Sequence, residues 1–177
     1  MKVIAATFAL AITVGLASPA EAMGSGNYYQ DHQTGVGYTV YQPGNTAGLT
    51  MTTFTSRPNC AANIDEPLVV GSGKKSGDQF TLVEADPRAC SEIGTGTTVY
   101  TFTLRGRKAR LVAYCAPSAT TICTREDVAA DGGYIEVTLP GNAGLRPTTI
   151  RIETASNKKN LTWQKLVAVA RSLNPVR

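Results

Sequence analysis

The sequence predicts an α+β fold: a meandering antiparallel sheet of seven or eight strands covered by one C-terminal helix. Three observations carry this. Short stretches that alternate apolar and polar residues follow one another from residue 37 to residue 153. Glycine, proline and asparagine clusters separate them, with no helical periodicity in between. One amphipathic segment, Leu161–Pro175, closes the chain. Alternation leaves one face of a sheet to be buried, and that helix is the cover at hand. A two-sheet sandwich with the helix at one edge is the alternative.

In chain order, residues 1–22 read as a secretory signal peptide. Met1-Lys2 is basic, Val3–Leu16 is almost wholly apolar, and Ala20 and Ala22 form the small-residue cleavage site. The apolar run is too short to span a membrane, and no later window is long and apolar enough. Residues 23–36 are rich in glycine and polar residues and read as a flexible lead-in. Residues 37–177 read as a single disulfide-stabilised β-rich domain.

Within it, Tyr38 and Val40 alternate with Thr39 and Tyr41, then Pro43-Gly44-Asn45 turns the chain. Leu49–Phe54, Pro67–Gly71 and Gln79–Glu84 supply the next strands, Phe80 and Leu82 sharing a side. Thr97–Leu104 and Lys108–Cys115 form a hairpin about Arg105-Gly106-Arg107. The first arm is rich in β-branched and aromatic side chains, with Tyr100, Phe102 and Leu104 on one face. Ala116–Asp127 is an excursion. Gly133–Leu139 then puts Ile135, Val137 and Leu139 together, and Thr148–Glu153 does the same for Ile150 and Ile152.

In the final helix Trp163, Leu166, Val167, Ala170 and Leu173 fall at i, i+3, i+4, i+7 and i+10. Thr162 is its N-cap, Arg171 suits the negative end of its dipole, and Pro175 stops it. A helix of about 11 residues is marginal alone. Burying Trp163, Leu166, Val167 and Leu173 contributes at most about 6–12 kcal/mol, which places it on the sheet.

Removing 22 of the 177 residues leaves 155, one ordinary domain with room for a core. Cys60, Cys90, Cys115 and Cys123 make an even set in an exported chain, so two disulfides are expected. Three pairings are open, and Cys60–Cys90 with Cys115–Cys123 is favoured. On a chain-entropy account these contribute roughly 3–4 and 2–3 kcal/mol. No cysteine stands at the cleavage point, so a lipid anchor is not expected. No cysteine pair has zinc spacing, and the single histidine, His32, is distant in sequence.

The net charge of +4 is a mild excess, suited to weak attraction by anionic cell-wall polymers and far from a nucleic-acid footprint. Arg105, Arg107, Lys108 and Arg110 cluster at the hairpin tip and are the candidate anion contacts, with Lys74, Lys75, Lys158 and Lys159 able to extend the surface.

No catalytic, cofactor or metal residue is predicted. A Ser–His–acid relay would have to use His32, which reads as a solvated loop histidine. Gly24-Ser-Gly26 and Gly71-Ser-Gly73 lack the nucleophile-elbow frame. A phosphate loop would need glycine where Leu68 stands. Glu84, Glu136 and Glu153 could serve glycoside hydrolysis, but each is read as lying on a solvated strand face. Asp127 and Asp131 do not match a calcium loop. Asn160-Leu-Thr162 is a glycosylation sequon that overlaps the helix cap, and the bacterial style of the signal segment predicts it unmodified.

The C-terminal third carries Gly106-Arg-Lys-Ala109, Gly132-Gly-Tyr-Ile-Glu-Val137, Thr149-Ile-Arg-Ile152 and the helix from Leu161 to Val176. In these it resembles an extracytoplasmic domain of unknown function found in Gram-positive lipoproteins and anti-sigma-linked membrane proteins. Those domains often close on a helix of the form Leu-x-x-Leu-x-x-x-Ala-x-Ser-Leu. This chain departs from them in lacking an anchor cysteine or a spanning helix, and in its four cysteines. The resemblance implies a curved sheet with a packed helix and a binding or sensing role, and supplies no catalytic residue.

The function expected is a secreted, non-enzymatic binding or sensing domain that associates with anionic cell-surface polymers or a protein. Two alternatives stand beside it: a secreted carboxylate-dependent hydrolase, and an inhibitor or effector that presents the Cys115–Cys123 loop.

Overall fold

The computed structural model describes residues 27–54, 65–72, 80–88, 96–118, 120–154 and 160–176. Helix α1 (Tyr28–Gly35) opens the described chain, followed by strands β1 (Tyr41–Pro43), β2 (Met51–Phe54), β3 (Leu68–Ser72), β4 (Phe80–Ala85), β5 (Thr97–Leu104) and β6 (Arg107–Ala113). Helix α2 (Asp127–Asp131), strands β7 (Gly133–Leu139) and β8 (Thr148–Thr154), helix α3 (Trp163–Arg171) and strand β9 (Leu173–Pro175) complete it.

Seven strands make one antiparallel sheet in the order β2-β3-β4-β8-β7-β6-β5, and β1 pairs with β9 in a small second sheet. The α+β architecture with a covering C-terminal helix is therefore present. The path is not one continuous meander. Strands β2 to β4 and β5 to β8 each run as neighbours, but β4 lies against β8, so the connection into β5 crosses from the middle of the sheet to its rim. Among the described residues no two-sheet sandwich forms, since β1–β9 has only three residues a side.

Alternation sorts the faces as expected. In β7 and β8 Ile135, Val137, Ile150 and Ile152 are buried, and register sets Ile135 opposite Ile152 and Val137 opposite Ile150. Helix α3 lies across this face. Thr162 caps it, its hydroxyl accepting from the Lys165 amide at 3.4 Å. Leu166, Val167, Val169 and Ala170 are buried, while Trp163 is half-buried at the margin of the core. Each of the larger buried side chains contributes about 1.5–3 kcal/mol.

The hairpin turn is two residues long. Arg105 (φ 47°) and Gly106 (φ 74°) both adopt left-handed backbone, the type I′ geometry that matches strand twist. Gly106 supplies that conformation without strain.

Three expectations are corrected. Residues 23–36 read as a flexible lead-in in sequence, but residues 28–35 of them form α1. Asn27 caps this helix through Oδ1, which accepts from the Tyr29 and Gln30 amides, and Tyr29 is buried beneath it. The strand proposed from Tyr38 runs as a strand only over Tyr41–Pro43, and Tyr38 itself makes an isolated parallel bridge with Arg146. Tyr38, Thr39, Val40 and Tyr41 are all buried, because this segment crosses the core and is covered on both sides. The last helix ends at Arg171, and Leu173–Pro175 pairs with β1. Backbone bonds from Gly44 N to Ser172 O (3.0 Å) and from Val176 N to Val40 O (2.9 Å) hold the tail extended. The proposed signal peptide, Cys60 and Cys90 lie outside the described residues. No helix among the described residues is long and apolar enough to cross a membrane.

Candidate functional site

The basic hairpin tip divides into cations with protein partners and cations without. Arg105 donates to the Leu173 carbonyl from Nε (2.9 Å) and Nη2 (2.6 Å), and Nη2 also reaches Asn174 Oδ1 at 2.6 Å. It ties the C-terminal strand to the hairpin through Nε and Nη2. Arg110 pairs with Glu136 at 2.6 Å across the β6–β7 ladder. Arg107 and Lys108 are exposed and have no ion pair among the described residues.

Arg107, Lys108 and Arg110 border a groove of about 470 Å³ on the outer face, lined also by residues of β7 and by Pro140 and Pro147. Its charged rim is Arg107, Lys108 and Arg110 against the single carboxylate of Glu136, so it keeps a positive excess. A smaller concavity of about 240 Å³ beside Gln30, Gln42 and Asn174 has no charged side chain in its lining. Lys74, Lys75, Lys158 and Lys159 lie outside the described residues.

Beyond the groove, the outer face holds a closed polar network. Arg151 lies 4.0 Å from the centroid of Tyr134, donates to Tyr114 Oη at 2.9 Å and pairs with Glu153 at 3.3 Å. Tyr114 in turn donates to Glu153. Burial, then the Glu153 bond, pushes the Tyr114 hydroxyl up to about 12. Charges here satisfy one another and leave little for a ligand.

Of the carboxylates considered for hydrolysis, Glu136 and Glu153 lie at diagonal positions of the neighbouring strands β7 and β8, and Glu84 stands apart from them. Glu136 and Glu153 are on the outer face, as alternation predicts, but Glu84 is fully buried on the other, which corrects its assignment to a solvated face. It shares parity with Phe80 and Leu82, and their inward direction carries it into the core. Its Oε2 accepts from the Tyr41 amide at 2.8 Å, and Oε1 has no hydrogen-bond partner among the described residues. Burial holds the carboxyl well above its ordinary range, partly offset by that bond. Glu84 thus anchors the segment entering β1 to the sheet.

His32 is half-buried on α1, not solvated in a loop. Its Nε2 lies 2.8 Å from Tyr38 Oη and 3.1 Å from the Glu66 carbonyl. Tyr38 Oη also accepts from the Leu68 amide at 3.1 Å and donates toward the Glu66 and Glu84 carbonyls. Burial depresses the imidazole pKa, so His32 is neutral near pH 7. No carboxylate is hydrogen-bonded to the ring among the described residues, so no Ser–His–acid relay is assembled around it there.

Nearby, Asp86 pairs with Arg88 and Arg146, each at 2.7 Å, and Arg146 also binds Asp65. The Arg88 bond, with Arg146 in support, holds the Asp86 carboxyl far below its usual range. Asp65 accepts from the Gly37 amide at 2.8 Å. This network staples the crossing segment to two parts of the sheet and is structural.

Cys115 and Cys123 are disulfide-bonded, with Cα atoms 5.9 Å apart. The bond pins a loop in which Ile122 is 86% exposed. Among the described residues no group of three or more His, Cys, Asp or Glu side chains is placed to hold a metal ion.

Sequence reasoning missed one cluster altogether. The Arg125 guanidinium lies 4.5 Å from the Trp163 ring and 5.2 Å from the Tyr100 ring, and Arg171 lies 5.8 Å from Phe102. The aromatic face of β5 was legible, but the arginines reach it from a loop and a helix end. Compared with known protein families, curated proteins and solved structures, the chain matches none.

Proposed function

We propose that this protein is an exported, non-enzymatic binding domain that takes an anionic cell-surface polymer in the groove beside β6, with Arg107 and Lys108 as its principal contacts. The observation that carries this reading is the pairing of the tip cations: Arg105 and Arg110 have protein partners, whereas Arg107 and Lys108 line the rim with none among the described residues. Export rests on the signal-like residues 1–22 and agrees with the Cys115–Cys123 bond. A binding role is also what the resemblance to extracytoplasmic domains implies.

The test is adhesion of the purified protein to an anionic wall polymer at low and high salt. Each exposed charge contributes up to about 1 kcal/mol at low salt, so Arg107→Gln with Lys108→Gln weakens binding by about 5–30-fold. The loss shrinks as salt screens the contact. Equal binding by parent and variant, or adhesion indifferent to salt, removes the proposal.

A second reading draws on one observation, the exposed Ile122 in the disulfide-pinned loop. Pre-organisation lowers the cost of docking such a loop into an apolar pocket of another protein. Ile122→Asp abolishing inhibition in a protease panel supports it; a panel indifferent to the parent protein discards it.

A further inference from the structure

Strand β5 ends the seven-stranded sheet. It pairs with β6 on one side, and its other edge has no backbone hydrogen bond among the described residues. Edge strands are ordinarily blunted by charge, proline or cover. Thr97–Leu104 contains neither a charged residue nor proline. The register shifts between Thr98 and Tyr100, leaving Tyr100–Leu104 as the regular stretch.

Along one side of that stretch sit two arginines. Tyr100 and Phe102 stack with centroids 5.6 Å apart. Arg125 lies over Tyr100 and Trp163, and Arg171 over Phe102. Neither guanidinium has a carboxylate partner among the described residues. A guanidinium braced on a ring face is held in place yet keeps its in-plane N–H donors, which suit a carboxylate in bidentate geometry.

We propose that the edge of β5 opposite β6 receives an extended acidic peptide as an added strand, with carboxylates on alternate residues facing Arg125 and Arg171. Main-chain bonds to an open edge supply affinity in this mode, and alternate side chains supply specificity. Same-face residues of a strand repeat at about 6.6 Å, and the rings that carry the two arginines belong to residues two apart on β5. An acid-x-acid pattern therefore meets both cations in one register. The site shares no residue with the groove beside β6, so it stands or falls independently of it.

Trp163 is the single tryptophan and lies under Arg125, so its emission reports this site directly. The experiment titrates the protein with an eight-residue peptide alternating Glu and Thr, with its block-ordered isomer, and with polygalacturonate, while hydrogen exchange follows the β5 amides. The alternating peptide is expected to shift Trp163 emission saturably and to slow exchange along Tyr100–Leu104. Arg125→Gln and Arg171→Gln each weaken it about tenfold, whereas Arg107→Gln with Lys108→Gln leaves it unchanged. N-methylation of the peptide backbone, which touches no protein residue, abolishes binding. Equal response to the block isomer, tolerance of N-methylation, or a polygalacturonate response that matches the peptide without β5 protection overturns strand addition. Silence of Trp163 to every probe overturns the site.

Discussion

Replacing Glu84 with Gln is expected to abolish a loss of stability that the protein suffers as pH rises. The carboxyl is fully buried, Oε2 is bonded to the Tyr41 amide and Oε1 has no partner. Its folded-state pKa is raised well above the ordinary value of 4.5, chiefly by burial. The sign follows directly. Below the unfolded value both states hold the proton and Glu84 is neutral to stability. Above it the unfolded chain releases the proton while the native state retains it, so folding costs about 1.4 kcal/mol more for every pH unit until the native carboxyl also ionises. Glutamine keeps an acceptor for Tyr41 and cannot ionise. Its amide finds no more partners than Oε1 does, so at pH 4 the variant is less stable than the parent by no more than about 1–3 kcal/mol. From there the difference moves in the variant's favour by about 1.4 kcal/mol per unit. Urea unfolding followed by Trp163 fluorescence, at half-unit steps from pH 4 to 8.5, measures both curves. His32 acts in the opposite sense, because its depressed pKa withdraws stability as pH falls through 6.5, and Asp86 acts lower still. Both are common to the two proteins and cancel in the difference. A difference curve that is flat from pH 4.5 upward refutes the reasoning, since a carboxyl that titrates alike in both states is not held protonated by its surroundings.

The other predictions test the staples of the fold. Arg146→Met should destabilise by about 1–3 kcal/mol in urea, because it deprives the buried Asp86 and the Gly37-binding Asp65 of a shared partner. Arg88→Met, at a side chain 62% exposed, should cost less, and a reversed order counts against the network as described. Cys115→Ser with Cys123→Ser should lower stability by about 2–3 kcal/mol for a closure of 8 residues, read as a shift of urea midpoint that disappears when the parent is reduced. Tyr29 and Tyr38 have hydroxyl pKa values raised by burial, so stability should fall as pH climbs past 10, where the unfolded tyrosines ionise first. Tyr29→Phe should lessen that slope; an unchanged slope places the ring in water.

What the sequence disclosed follows the range of the forces involved. Strands β7 and β8 and helix α3 were legible because alternation and the 3.6-residue period are local, and Thr162 marks its helix start within three residues. Helix α1 was not, because its composition is that of a linker and only Tyr29 is buried; its stability comes from the Asn27 cap, from Tyr29 in the core and from Gln33, which bonds the Tyr38 carbonyl and the Val40 amide. The pairing of β4 with β8 joins residues far apart in the chain, which no local pattern encodes. Glu84 is the instructive error. Alternation is read as placing it on a solvated face, yet it shares parity with Phe80 and Leu82, and that parity is the buried one. The core accepts it because the Tyr41 amide, at the start of β1, takes the Glu84 carboxyl as its acceptor there.

The same division governs the candidate site. A cationic hairpin tip can be read from Arg105, Arg107, Lys108 and Arg110 alone, yet which of them are free is decided by partners 26 and 68 residues away, Glu136 and Leu173. Those partners remove two of the four from service in opposite ways, Arg110 by charge and Arg105 by carbonyl contacts that leave its charge uncompensated. Arg105 therefore still adds to the positive field at the tip while offering few donors. Steering should respond to all three of Arg105, Arg107 and Lys108, and short-range affinity to Arg107 and Lys108. Loss of Arg105 should accordingly slow association and loosen β9 together, whereas loss of Arg107 or Lys108 should weaken binding with the fold untouched.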